Sequence, residues 1–272
     1  MSVSDSHPPN NARRIEQLRT AIKAIEASSD NRERQLRPTA AQRTTPDPKV
    51  THRTPLGSDW MQRIPARYHH GHDGFDRRLM EDLAAVGVRC YTVQDLHGSP
   101  VTTGVIDVLA DWLAHLDDRI PGPETHHRQA IRANLIKQLN RTSVRGNQRV
   151  FDLLIAQMLY DPPLPGIAGN AAGYAIAKIA TRHDFERISA LIDQLPPGVS
   201  RGALIEYMGK VKTDDARDIA LSYLDTEWTY FSLKALISMR AIGVRERVEP
   251  YLDSPNAFVR KYARRAMEVL PR

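Results

Sequence analysis

The chain has 272 residues, 41% hydrophobic and 26% charged, the ordinary usage of a folded protein, which excludes fibrous and wholly disordered classes. No apolar run approaches the roughly 18 residues that a membrane span requires, and Met1 to Asn11 is polar with no hydrophobic segment behind it; no membrane partner and no secretory leader are expected, with cytoplasmic residence the default. The formal net charge of +6 sits mostly at one end, because residues 1–70 hold twelve Lys and Arg against seven Asp and Glu, whereas 71–272 hold twenty-six against twenty-five.

Taken in chain order, residues 12–27 place Ile15, Leu18, Ile22 and Ile25 on one face of an amphipathic helix. About four turns are marginal alone in water, so the stripe needs a surface to dock on. Residues 28–58 lose the period and read as a linker, which makes 1–58 a flexible leader. A small helical lead-in follows over 59–100. Trp60, Met61 and Ile64 are its first core candidates, and Phe75 to Val86 forms a helix with Phe75, Leu79, Leu83 and Val86 on one face and Gly87 as its stop. Val88 to Leu96 is partly β-branched and reads as extended. Cys90 cannot pair internally and reads as a small buried hydrophobe.

From 101 to 272 one short phrase recurs. Asp117, Asp161, Asp193, Asp225 and Asp253 each follow an apolar or aromatic residue at the end of an amphipathic run, and a breaker or capping residue comes next. The last three intervals are 32, 32 and 28 residues, a period that signals stacked units of helix, turn and helix. Helices are expected near 103–116, 125–141, 147–160, 169–182, 185–195, 200–211, 215–224, 229–241, 245–252 and 256–270. The class is all-α.

Asp253 to Met267, with Val259-Arg260 after the turn aspartate and Ala263 and Ala266 before an apolar end, resembles the second half of a short HEAT-like repeat. The likeness is fainter over 215–252, where Phe231-Ser232 replaces Val-Arg, and reduces to periodicity before residue 200. The stretch from Leu79 into 105–141 is similar to HEAT-like proteins of high-GC bacteria. The resemblance implies a right-handed α-solenoid of about five helix pairs and carries no catalytic residue with it.

Several clusters invite chemistry. The five aspartates stand where a carboxylate caps a helix, and are read as structural turn residues. His69, His70, His72 and Asp73 form a dense imidazole and carboxylate group, a candidate metal site that departs from the metallo-β-lactamase motif at Gly74 and Phe75; a polar loop is the plainer reading, and no cofactor is expected. HEAT-like repeats also occur in bilin lyases and in DNA glycosylases that use a Trp and Asp constellation; Trp112 beside Asp111 and Trp228 near Asp225 are the positions available for it. Basic candidates for a binding surface are Arg128, Arg132, Lys178, Lys210, Lys234, Arg260, Lys261, Arg264 and Arg265. Counted from the turn aspartates, Lys178 and Lys210 fall at one register and Lys234 and Lys261 at another, so they are not expected to form one ridge. Arginine outnumbers lysine 30 to 8, which suits bidentate pairing with carboxylate or phosphate. Together these features point to a non-enzymatic module that binds a protein or peptide, with nucleic acid as the alternative partner.

Overall fold

A computed structural model describes residues 55–64, 76–96, 101–164, 167–196, 199 and 201–271. They belong to one compact unit, Arg53–Arg272. The helix expected at 12–27, most of the 28–58 linker and the His69, His70, His72 and Asp73 loop lie outside the described residues.

The described residues are helical, with no strand among them. After a 3-10 turn at Trp60–Arg63 come α1 (Arg77–Ala85), a 3-10 turn at Val93–Leu96, α2 (Thr103–Ala114), the short α3 (Leu116–Arg119) and α4 (His126–Leu139). Then follow α5 (Gln148–Met158), α6 (Ile167–Ile179), α7 (Phe185–Gln194) and α8 (Gly202–Val211). The chain continues through α9 (Asp214–Ser222), α10 (Thr229–Met239), α11 (Arg245–Val248), a 3-10 turn at Glu249–Asp253 and α12 (Ala257–Val269). Each helix expected from 103 onward is present. Val88 to Leu96 forms no strand, and its second half curls into the Val93–Leu96 3-10 turn: Asp95 accepts from the Thr92 amide at 3.1 Å and its own amide bonds back to the Thr92 carbonyl.

The helices pack in order. Within pairs, α2 lies on α4, α5 on α6, α7 on α8, α9 on α10, and α11 with its 3-10 turn on α12. Between pairs, the second helices meet in succession, α4 on α6, α6 on α8, α8 on α10 and α10 on α12. One continuous core runs from Trp60 through Leu83, Leu109, Leu135, Leu154, Ile176, Leu204, Leu236 and Ala263 to Leu270. Each fully buried leucine contributes about 1.5–3 kcal/mol. The closest approach is between α8 and α10, where a Cβ on Gly209 would fall 2.7 Å from the Ser238 Cβ and 2.9 Å from the Ala235 carbonyl oxygen. Glycine there lets the two backbones nearly touch.

Six helix starts carry a side-chain cap, none of them from a repeated aspartate. Asp76, Thr102, Thr125, Asn147, Thr213 and Asn256 accept from backbone amides of α1, α2, α4, α5, α9 and α12. Asp117 lies inside α3, Asp193 in the last turn of α7 and Asp253 at the end of its 3-10 turn, while Asp161 and Asp225 stand in connections. The capping role expected of these carboxylates therefore passes mostly to Thr and Asn, whose short side chains bond the N2 or N3 amide from the Ncap position itself.

Many arginines bind backbone carbonyls. Arg78 donates to Arg119 O at 2.6 Å, Arg141 to Leu96 O at 2.7 Å and Arg245 to Met267 O and Leu270 O at 2.6 and 2.9 Å. Arg201 reaches the Ile192 and Leu195 carbonyls at the end of α7. A helix leaves its last four carbonyls unsatisfied and negatively polarised, and a guanidinium meets both needs.

Candidate binding groove

One side of α6, α8 and α10 opens on a groove of about 380 Å³. Helical steps of three and four residues bring Tyr174, Ala177 and Lys178 of α6 and Ala203, Glu206, Tyr207 and Lys210 of α8 to its wall. Lys234 and Ser238 join from α10, and Asn140 from the end of α4.

The wall is anchored by bonds that cross between second helices. Lys210 Nζ donates to the Ala177 carbonyl at 2.6 Å, and one unit along Ser238 Oγ donates to the Gly209 carbonyl at 3.1 Å. Both carbonyls belong to the last turn of their helix, where no intrahelical amide is left for them. Tyr207, buried in the floor, donates to the Thr181 carbonyl at 2.5 Å; burial first, and then the nearby Asp184 charge, pushes its phenol up to about 12.

The groove's electrostatics divide into two ends. Lys234 pairs with Glu206 at 2.6 Å and lies 5.4 Å from the Tyr230 ring centre. Partial burial lowers its pKa, but the Glu206 hydrogen bond and charge outweigh this and leave it raised. At the other end Lys210 is held below the usual lysine value, first by burial and then by the cations of Arg145 and Lys178. Arg145 and Lys178 are exposed, and neither forms an ion pair with a described residue. Beyond Lys234 the wall passes into an aromatic shelf. Tyr230 meets Phe231, Tyr262 and Phe258 edge-on at 5.0, 4.9 and 6.3 Å, and Phe258 is 69% exposed.

Three of the basic residues expected from sequence thus share one site, and the expectation that Lys178 and Lys210 are out of register with Lys234 is corrected. The connections after Asp161, Asp193 and Asp225 differ in length, so distance from the aspartate does not measure position on the following helix. Lys261, Arg264 and Arg265 are exposed with Glu268 around an open depression on α12, apart from the groove. Arg260 turns back to the Ser254 and Pro255 carbonyls at 2.6 and 3.0 Å.

Arg128 and Arg132 do not contribute to a surface patch. Arg132 is 1% exposed, and it pairs with Glu124 through Nε at 2.8 Å and Nη2 at 3.0 Å. It also donates to Asp117 at 2.7 Å and to Gln157 at 2.8 Å. Arg128 bonds Asp117 and the Gly122 carbonyl. The cause is the placing of α4, which is covered by α2, α6 and the Val93–Leu96 turn, so that even polar positions on it are enclosed. Trp112 is likewise in the core, its indole donating to Asp82 at 2.7 Å, while Asp111 pairs with Arg119 at 2.6 Å. Trp228 stacks on Phe231 with centroids 6.1 Å apart, and Asp225 is held by Arg247 at 3.1 Å and by Tyr251. Cys90 is buried against Met80, its thiol pushed up to about 12 by burial and then by the Asp95 charge. Among the described residues no group of His, Cys, Asp and Glu is arranged to hold a metal, and no helix is long and apolar enough to cross a membrane.

Reading the sequence alone passes over Tyr174, Glu206, Arg145 and Asn140. The available signal is the repeat period: Tyr174 and Glu206 are 32 residues apart, as are Lys178 and Lys210. Asn140 stands outside that register and joins the site only through folding, as does the charge of Arg145 acting on Lys210.

The geometry defines an all-helical protein with a basic groove edged by aromatic rings. Compared with protein-family models, curated proteins and solved structures, the chain matches none of them.

Proposed function

We propose that residues 101–272 form a HEAT-like α-solenoid of about five helix pairs and that the chain is a non-enzymatic interaction module binding a segment of another protein. The observation that carries this reading is the succession of second helices, α4 on α6 on α8 on α10 on α12, with a groove left open along three of them. Stacked hairpins bury their apolar sides against neighbours and present extended surfaces suited to a polypeptide. A second reading, nucleic-acid binding, draws on the exposed Lys261, Arg264 and Arg265, although Arg128 and Arg132 are withdrawn from it by burial.

A photo-crosslinking residue placed at Tyr174 and, separately, at Asp152 on α5 tests the module in cells. Discrete protein adducts from position 174 and not from 152 are expected. The same ladder from both positions, or adducts at 174 that nuclease removes, would overturn it.

A further inference from the structure

We infer that the groove selects an acidic segment, with carboxylate side chains of the partner seated between Lys178 and Lys210; this rests on the protein-binding reading above. Lys178 and Lys210 line one end of the groove together. The charges of Arg145 and Lys178 make that of Lys210 less favourable, and Glu206, which opposes this, is bonded to Lys234. Like charges gathered without a partner are a standing repulsion that an incoming anion relieves. Several cations of the chain are neutralised by the fold itself, as Arg132 is by Glu124 and Asp117, and Arg187 by Asp152 at 2.5 Å. Among the described residues Lys178 has no such partner, and unlike the unpaired cations on α12 it lines the groove beside Lys210.

Two further observations suit a polypeptide. Asn140 lines the same groove with its Oδ1 buried and without a hydrogen-bond partner, an acceptor suited to a backbone N–H of an extended segment. Tyr174, 48% exposed, offers its ring beside the small side chains of Ala177 and Ala203, a seat for an apolar residue next to the acidic one.

Fluorescence anisotropy with the full chain tests the inference using three labelled probes: a short Asp- and Glu-rich peptide carrying one Trp, its Asn and Gln isostere, and a single-stranded DNA of similar length. The acidic peptide should bind at least about tenfold more tightly than the isostere, and weaken with salt. K178E/K210E should lose at least about tenfold in affinity, exposed K178E alone should shift in the same direction, and K261E/R264E on α12 should leave binding unchanged. Equal affinity for both peptides, lost on Y174A, would overturn the acidic preference while leaving the protein-binding reading in place. DNA binding that depends on Lys178 and Lys210, with neither peptide bound, would overturn both.

Discussion

The hydroxyl of Tyr160 donates to the Asp117 carboxylate at 2.7 Å, joining the turn of one helix pair to the end of the first helix of the next. Tyr251 makes the same bond to Asp225 three pairs further along. Two of the five recurring aspartates thus serve as acceptors between successive units, and the first, Asp117, also gathers Arg128 and Arg132. Arg132 lies 4.9 Å from the centre of the Tyr160 ring, so charge, hydrogen bond and ring face close one network.

Removing Arg132 is expected to be more damaging than removing the tyrosine hydroxyl. Arg132→Ala strips a buried partner from Glu124 and Asp117 and orphans Gln157, a loss of about 3–5 kcal/mol for a broken buried pair. Tyr160→Phe removes one bond to a half-exposed carboxylate and should cost about 0.5–1.5 kcal/mol. Urea unfolding midpoints decide the matter; an Arg132→Ala midpoint equal to that of the parent would refute the network.

Asp117 also predicts an acid limb of stability. Burial raises its pKa, but hydrogen bonds from Tyr160, Arg132 and Arg128 outweigh it and bring the group to about 2. A folded pKa below the unfolded one stabilises the fold above about pH 4, and that contribution is lost as pH falls toward 2. Asp117→Asn should be less stable at neutral pH yet show a shallower decline over this window. Parallel pH curves for the two proteins would rule it out.

The helices were open to sequence reading because an apolar stripe at a 3.6-residue period is a local property, and burial of Val259, Ala263 and Ala266 on α12 follows that stripe directly. Enclosure of α4 is not local. Arg128 and Arg132 stand on the same face as Ile131, Leu135 and Leu139, an unusual place for arginine that hints at buried pairing, but the partner Asp117 lies on another helix and Glu124 in the connection before α4. The groove was half legible. Lys178 and Lys210 repeat with the period, whereas the approach of Lys234 depends on connection lengths, and that of Arg145 on how the α4 to α5 connection folds.

Close packing of α8 on α10 gives a pair of glycine substitutions with different expected outcomes. Alanine favours a helix over glycine by up to about 1 kcal/mol. At Gly169 the added methyl would have its nearest neighbour, Leu164 O, at 4.0 Å, so Gly169→Ala should be neutral or stabilising. At Gly209 the methyl meets Ser238 and the Ala235 backbone at 3.0 Å or less, and overpacking there should reduce stability by about 1–3 kcal/mol. Thermal unfolding in which the two variants shift alike would contradict this account of the contact.

Lys210 makes the last prediction, a loss of binding as pH rises toward the ordinary lysine range that is separable from unfolding. Its ammonium is held below the usual lysine value by burial and by Arg145 and Lys178, so it loses its proton before an ordinary lysine does. Folding disfavours its charged form, so as pH rises through its folded pKa the unfolded chain retains the proton longer and this group adds stability rather than removing it. Affinity for the acidic peptide should therefore begin to fall while the protein remains folded. Lys210→Arg keeps its charge throughout this range and should carry binding to higher pH. An anisotropy titration in which the Lys210→Arg and parent curves superimpose would show that this ammonium does not meet the ligand.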